Sequence, residues 1–136
     1  MSVVIDASFT LSWYFDDETT PATEVILDRV SENGAVVPGL WRLEVANAFQ
    51  SALRRNRISS EYRDESLTEL MDLPITIDAD TDTYAWTTTL RLAERFGLTI
   101  YDATYLELAQ RRSLPLATLD KDLRQAAAAL DVALCC

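Results

Sequence analysis

The chain has 136 residues, 49% of them hydrophobic, which is enough for one buried core and too few for two, so residues 1–136 are expected to form a single domain. No apolar run approaches the roughly 18 residues of a membrane span, and no basic leader precedes the first apolar run, so no secretory signal is read and a cytoplasmic protein is expected. With 22 acidic against 12 basic residues the net charge is −10, which taken alone argues against a nucleic-acid binder, and the absence of histidine removes the commonest general base and zinc ligand.

Val3-Val4-Ile5 is an unbroken β-branched run that ends in Asp6-Ala7-Ser8. Such a run predicts a strand covered on both faces, in the middle of a parallel sheet. Asp6 would then stand just beyond the strand's carboxyl end, where open parallel sheets bind ligands. Ser8 is placed to cap a short helix over 8–15, followed by the acidic loop Asp16-Asp17-Glu18. Thr20 suits a helix N-cap and Pro21 the first helical position, so a helix is predicted from there to about residue 31, with Asn33-Gly34 ending it. A second strand over 35–37 stops at Pro38-Gly39.

In the helix predicted over 40–56, Trp41, Val45, Ala48, Phe49, Ala52 and Leu53 fall in one apolar arc. Glu44, Asn47, Ser51 and Arg55 form a separate polar stripe, facing a cleft or water. Ser59 or Ser60 caps a helix to about residue 73, with Leu67, Leu70 and Met71 as its apolar side. Pro74 ends it and a strand follows over 75–77. A long helix is predicted over 80–96, closed by a left-handed Gly97. The helix over 101–112 carries Arg111 and Arg112 at its negative end. A strand over 116–119 stops at Asp120, and a helix over 121–130 and a strand over 132–134 close the chain. This alternation predicts an α/β domain with a mostly parallel sheet, without repeats or linkers.

Gly34, Gly39 and Gly97 are too scattered for a GxGxxG turn or a Walker loop, and there is no G-x-S-x-G elbow. Cys135 and Cys136 are adjacent, so they can neither staple distant segments nor complete a four-ligand zinc site. What remains in quantity is carboxylate. Eleven of the 12 basic residues are Arg, the side chain best shaped for phosphate, although a coding bias accounts for that equally well.

Asp102 lies in the first turn of its helix, yet Tyr105, Leu106 and Ala109 place it on the apolar face, so it points inward. Its plain alternative is an acid favoured by the helix dipole. A carboxylate turned toward the core needs a partner, and a metal ion is one. Asp6 and Asp120 each directly follow an apolar strand and each has a hydroxyl residue beside it, Ser8 or Thr118; their plain alternative is helix capping. Glu44 on the polar stripe could equally be a solvated surface acid. Brought to one edge, Asp6, Glu44, Asp102 and Asp120 would hold divalent metal for cutting a phosphodiester, with Asp122, Asn47, Ser8 and Thr118 as accessory groups. Hard Mg²⁺ or Mn²⁺ takes oxygen ligands and keeps several waters, so this chemistry needs no histidine.

Val4-Ile5-Asp6-Ala7-Ser8, Leu43-Glu44-Val45-Ala46-Asn47, the run Tyr101-Asp102-Ala103-Thr104-Tyr105-Leu106-Glu107-Leu108-Ala109 and Thr118-Leu119-Asp120-Lys121-Asp122-Leu123 follow one another in an order and spacing that cover nearly the whole chain. In these segments the chain resembles the PIN-domain ribonucleases, and within them the VapC-type toxins of toxin–antitoxin pairs. The resemblance implies a three-layer PIN-like fold with a five-stranded parallel sheet flanked by helices. It also implies an acidic site of Asp6, Glu44, Asp102 and Asp120, dependence on Mg²⁺ or Mn²⁺, cleavage of RNA, a homodimer, and a small antitoxin that wraps the toxin and directs a tail toward the site.

Other readings stay open on the sequence. A receiver domain also has a small acidic, Mg²⁺-binding pocket, and Asp78 or Asp80 could mimic its phospho-acceptor, but Asp6 is followed by Ala7 where an acid pair is usual. A haloacid-dehalogenase-like phosphatase would want Asp-x-Asp, and position 8 is Ser. A PIN-like domain that only binds its partner is the non-enzymatic alternative. The helices over 41–56 and 60–73 are expected to form a projecting hairpin with an apolar groove, to which Trp41, Phe49, Leu53, Leu67 and Met71 offer surface, with Trp13-Tyr14-Phe15 close by. The plain alternative is that all of these belong to the core, the favoured reading for Phe49 and Leu53, and an amphipathic partner helix would cover the remainder. A basic tail on that partner would suit the acidic cleft.

Overall fold

Val3–Ile5 (β1) is fully buried, as a run covered on both faces must be. The structure, a computed structural model, describes residues 2–135. Cys136, half of the expected terminal cysteine pair, lies outside them. Ala35–Val37 (β2) pairs in parallel with β1, placing Ala35 opposite Val3. Ile75–Ile77 (β3) pairs in parallel with β2, and Leu116–Ala117 (β4) with the other side of β1. The sheet therefore has four strands in the order β3-β2-β1-β4. A fifth strand was expected over 132–134; instead Leu134 makes one isolated parallel bridge to Leu116. The chain enters it through Asp131, at φ 58°, directly after a turn bonded back to Ala127, and β4 is itself only two residues long.

The order reverses direction beside β1: the chain steps outward to β2 and β3, then crosses back to β4. The crevice between the carboxyl ends of β1 and β4 is thus a topological switch point. This order also differs from the flavodoxin-like 2-1-3-4-5 arrangement of receiver domains.

The helices are Ala7–Ser12 (α1), Pro21–Asn33 (α2), Trp41–Arg54 (α3), Ser60–Asp72 (α4), Thr81–Ala85 (α5), Thr88–Phe96 (α6), Ile100–Arg112 (α7) and Lys121–Ala129 (α8). Thr20 and Thr23 cap α2 reciprocally behind Pro21, and Ser59 caps α4. The cap of α1 is Asp6, where Ser8 was expected. The helix predicted over 80–96 breaks at Trp86 and Thr87, and the backbone of Thr87 is non-helical at φ −121° and ψ −97°. Thr87, Thr88 and Thr89 are β-branched and lose side-chain freedom in a helix, so a break there costs little. Gly97 closes α6 in the left-handed region at φ 65°. No helix of the described residues is long and apolar enough to cross a membrane.

The core lies on both faces of the sheet, with Phe9, Phe49, Tyr105 and Leu106 among its fully buried side chains. Trp41 Nε1 donates to Thr10 Oγ1 at 3.0 Å, and Thr10 Oγ1 donates to the Asp6 carbonyl at 2.8 Å, tying α3 through α1 to the end of β1. Helix α7 is buried continuously from Ala103 to Ala109, including Glu107. Arg111 closes this burial: it bonds Glu107 Oε2 at 2.7 Å and Asp78 Oδ2 at 2.7 Å and lies over the Tyr84 ring. Arg112 adds a bond to Asp78 Oδ1 at 3.0 Å. The two arginines expected only to favour the helix's negative end therefore fasten α7 to the end of β3. Burial alone would raise the Asp78 pKa, but the two guanidiniums outweigh it and hold the carboxyl below its usual value.

Asp78→Ala removes three charge-assisted bonds from this buried network. It should cost about 3 kcal/mol, since the guanidiniums keep their charge without their principal acceptor. Urea unfolding should show a lower midpoint at an unchanged slope. A loss below about 1 kcal/mol would mean that the network behaves like a surface ion pair.

Candidate active site

Both acids that end a strand cap the helix that follows. Asp6 Oδ1 accepts from the Phe9 amide at 2.8 Å and from the Ser8 hydroxyl at 3.0 Å. Asp120 Oδ2 accepts from the Leu123 amide at 2.8 Å, opening α8. The capping reading of these acids and the site reading are therefore not alternatives. Thr118 joins them across the switch point: its hydroxyl donates to Asp6 Oδ2 and accepts from the Asp120 amide at 3.1 Å. Both groups are deeply placed, with Asp6 4% exposed and Thr118 fully buried.

Glu44 and Asp102 come from the first turns of α3 and α7. Tyr105 donates its hydroxyl to Glu44 Oε1 at 2.6 Å. Thr99 caps α7 by accepting from the Asp102 amide at 3.1 Å. All four acids line one cleft of ≈ 330 Å³, together with Ser8, Asn47 and Tyr105, and no basic side chain lines it. Asn47 is exposed at its rim. Asp122 is exposed and does not line the cleft; it reaches Asp102 only through its charge. Tyr105 was read only as part of an apolar stripe, and its contact with Glu44 joins residues too far apart in sequence for any local pattern to show.

The acids raise one another. Burial lifts the Asp6 pKa from 3.8 to about 6 against the bonds from Thr118, Phe9 and Ser8, and the charge of Asp102 adds to it. Burial also raises Glu44, with Tyr105 opposing and Asp102 adding. Asp102 is raised by its own burial and then by Asp120 and Asp122, with Thr99 opposing. Burial and the bond to Glu44 push the Tyr105 hydroxyl far up, so it remains a donor. Asp102 is the common neighbour in this field.

Among the described residues no group of three or more acids is spaced to hold a metal ion with the side chains as they stand. The donor set is nonetheless all oxygen and open to solvent. That fits a hard divalent cation held by few carboxylates, with water completing its shell. Asp6 keeps one lone pair on Oδ2 beyond the Thr118 bond, and Glu44 keeps Oε2 beyond the Tyr105 bond. Asp78, one of the two candidate acceptors of a receiver domain, is 2% exposed with both oxygens held by arginine, so it cannot serve as one.

This is an α/β protein whose acidic cleft lies at the carboxyl edge of a parallel sheet, at its switch point. A family model described as the PIN domain matches residues 3–129, and the chain belongs to the PIN-domain family. It is 28% identical over 125 residues to a protein named Ribonuclease VapC3 from Pyrobaculum aerophilum, covering 92% of this chain and 94% of the relative. Its fold is similar to the crystal structure of PAE2754, also from Pyrobaculum aerophilum, with a TM-score of 0.69, 22% identity, and coverage of 93% of this chain and 84% of the other.

The raised acids make stability depend on pH. Between pH 3.8 and about 6 the folded chain holds the Asp6 proton more tightly than the unfolded chain does, so stability falls as pH rises through that window. The full penalty, reached above the folded value, is about 3 kcal/mol. Glu44 and Asp102 shift in the same direction, whereas the lowered Asp78 acts below this window. In chelator, the urea midpoint should therefore rise as pH is lowered from about 7 to 5. Asp6→Asn should flatten that rise and be the more stable chain at neutral pH. A midpoint that falls on acidification over this range would show that the cluster is not strained.

Proposed function

We propose that this chain is a metal-dependent endoribonuclease, and the toxin of a toxin–antitoxin pair. The observation that carries the reading is four carboxylates and no basic group in one cleft, within a PIN-family chain related to a named ribonuclease. Asp6, Glu44, Asp102 and Asp120 would hold Mg²⁺ or Mn²⁺. When bound, such an ion supplies an activated water and neutralises charge on the phosphodiester. The chain's own residues prepare for this. Thr118 fixes the Asp6 carboxylate and the Asp120 backbone in one bonded unit, and Tyr105 fixes the rotation of Glu44. Ser8 holds Asp6 from the other side, while Asn47 stands where it can orient water or substrate at the rim.

The partner proposal rests on a second hollow. Trp41, Val45, Leu67, Leu70, Met71 and Ile77 line a groove of ≈ 210 Å³ between α3, α4 and the free edge of β3. Met71 is 77% exposed there. Phe49 is fully buried in the core, as the sequence favours, and Tyr14 and Phe15 are buried as well. An amphipathic helix from a small antitoxin fits this groove, and a basic tail on it fits the acidic cleft. A homodimer, as the resemblance implies, completes the proposed assembly.

Protein freed of any partner should cut RNA with Mg²⁺ or Mn²⁺ and stop in EDTA. Asp6→Asn and Asp102→Asn should each lower cleavage by at least about 10²-fold while remaining folded. Cleavage that persists in chelator defeats the metal mechanism, and wild-type rates in both variants misplace the site. Ion binding followed calorimetrically near pH 6 should release protons, seen as an enthalpy that changes with the buffer. Co-purification with a small neighbouring gene product, weakened by salt, is the outcome expected for the partner.

A further inference from the structure

The acidic cleft does not end at Asn47. Ser8, Leu11 and Ala48, which form part of its wall, also line a second hollow of ≈ 240 Å³ that continues between α1 and α3 to Ser51, Arg55 and Arg57. Glu44, Ala48 and Ser51 on α3 and Arg55 at its C-cap follow one another at steps of four, three and four residues and therefore lie along one side of the helix. The eleven steps from Glu44 to Arg55 span about 16 Å. This face starts in the acid cluster and ends at positive charge. Arg55 is exposed and forms no ion pair among the described residues. Arg57 is partly engaged, bonding Asp17 Oδ1 at 3.2 Å and lying over the Phe15 ring.

A cation at the end of α3 has a plain role, since the last turn of a helix is its negative end. That role does not require the residue to line a hollow that shares a wall with the acidic cleft.

We infer that this hollow is the track of the RNA strand beside the scissile phosphate, with Arg55 receiving a backbone phosphate a few nucleotides from the acids. The inference rests on the ribonuclease reading and deepens it by giving the substrate a direction along α3. Guanidinium suits the role because its planar fork bonds two phosphate oxygens at once. Glu18 lines the same hollow as a carboxylate and opposes the phosphate there. The track thus contains one side chain that should attract the strand and one that should repel it. It also gives a chain of net charge −10 a local place for phosphate away from the acids.

Binding of a fluorescent RNA oligonucleotide is measured by anisotropy in an Asp102→Asn background, which prevents cleavage, across about 50 to 200 mM salt. Arg55→Gln should weaken binding several-fold and reduce the slope of log K against log salt by about 0.7, the loss of one phosphate contact on a single strand. Glu18→Gln should strengthen binding, a direction that misfolding cannot mimic. With the acids intact, Arg55→Gln should raise KM for a long RNA at unchanged kcat, yet leave cleavage of a dinucleotide unchanged because it cannot reach Arg55. A changed melting temperature with an unchanged salt slope assigns Arg55 to the helix end alone and overturns the track. Equal effects on long and short substrates overturn it too, while the ribonuclease reading stands. If the wild-type chain cuts no RNA at all, that reading fails and the track fails with it.

Discussion

The Asp6 carboxylate is the constraint on which the other parts of the site depend. It sits at the end of the central strand, buried, and accepts bonds from the first turn of α1, from Ser8 and from Thr118 across the switch point. Those bonds give the group its direction. Its capping oxygen is committed to α1, so the other must face β4, and Thr118 then brings Asp120 beside it through the amide that the same hydroxyl accepts. The site is thereby assembled by the same contacts that start two helices. A change that loosened the cap would also rotate the oxygen that Thr118 holds.

Asp102 is secured from both ends of its helix. Thr99 caps α7 beside it, and Arg111 and Arg112 anchor the far end to Asp78. Between these anchors α7 is buried for seven successive residues. A rigid helix held at both ends can keep a carboxylate close to three others that repel it, whereas a loop would swing it into solvent. The ion network is therefore part of the site's support although it lies away from the cleft.

Much of this was legible in the sequence because it is local. An apolar run that stops at an acid predicts both a strand end and a cap, which made Asp6 and Asp120 visible, and the position of Asp102 on an apolar helix face gave its inward direction. Glu44 was the least legible, since a polar stripe reads equally as a solvated surface; only the Tyr105 hydroxyl, 61 residues away in sequence, distinguishes it. The Asp78 network was hidden for the same reason, because arginines at a helix end look sufficient in themselves. The missing fifth strand and the broken 80–96 helix were hidden differently: strand pairing depends on the partner's length, and an amphipathic period continues through a run of threonines whether or not the backbone does.

The net charge of −10 has a structural counterpart in the raised carboxylates. Burying Asp6 without a cation costs the folded chain stability at neutral pH, the charge of Asp102 deepens that cost, and Asp120 in turn raises Asp102. Anything positive that enters the cleft relieves it, whether a divalent ion or the basic tail of a protein partner. The proposed cofactor and the proposed inhibitor would then compete for one electrostatic vacancy. Bound to the folded chain alone, each would also stabilise it by mass action. On this reasoning the acidity of the chain would be a feature of how the proposed site is loaded and restrained, and attraction of the proposed RNA substrate would fall to Arg55, placed away from the acids.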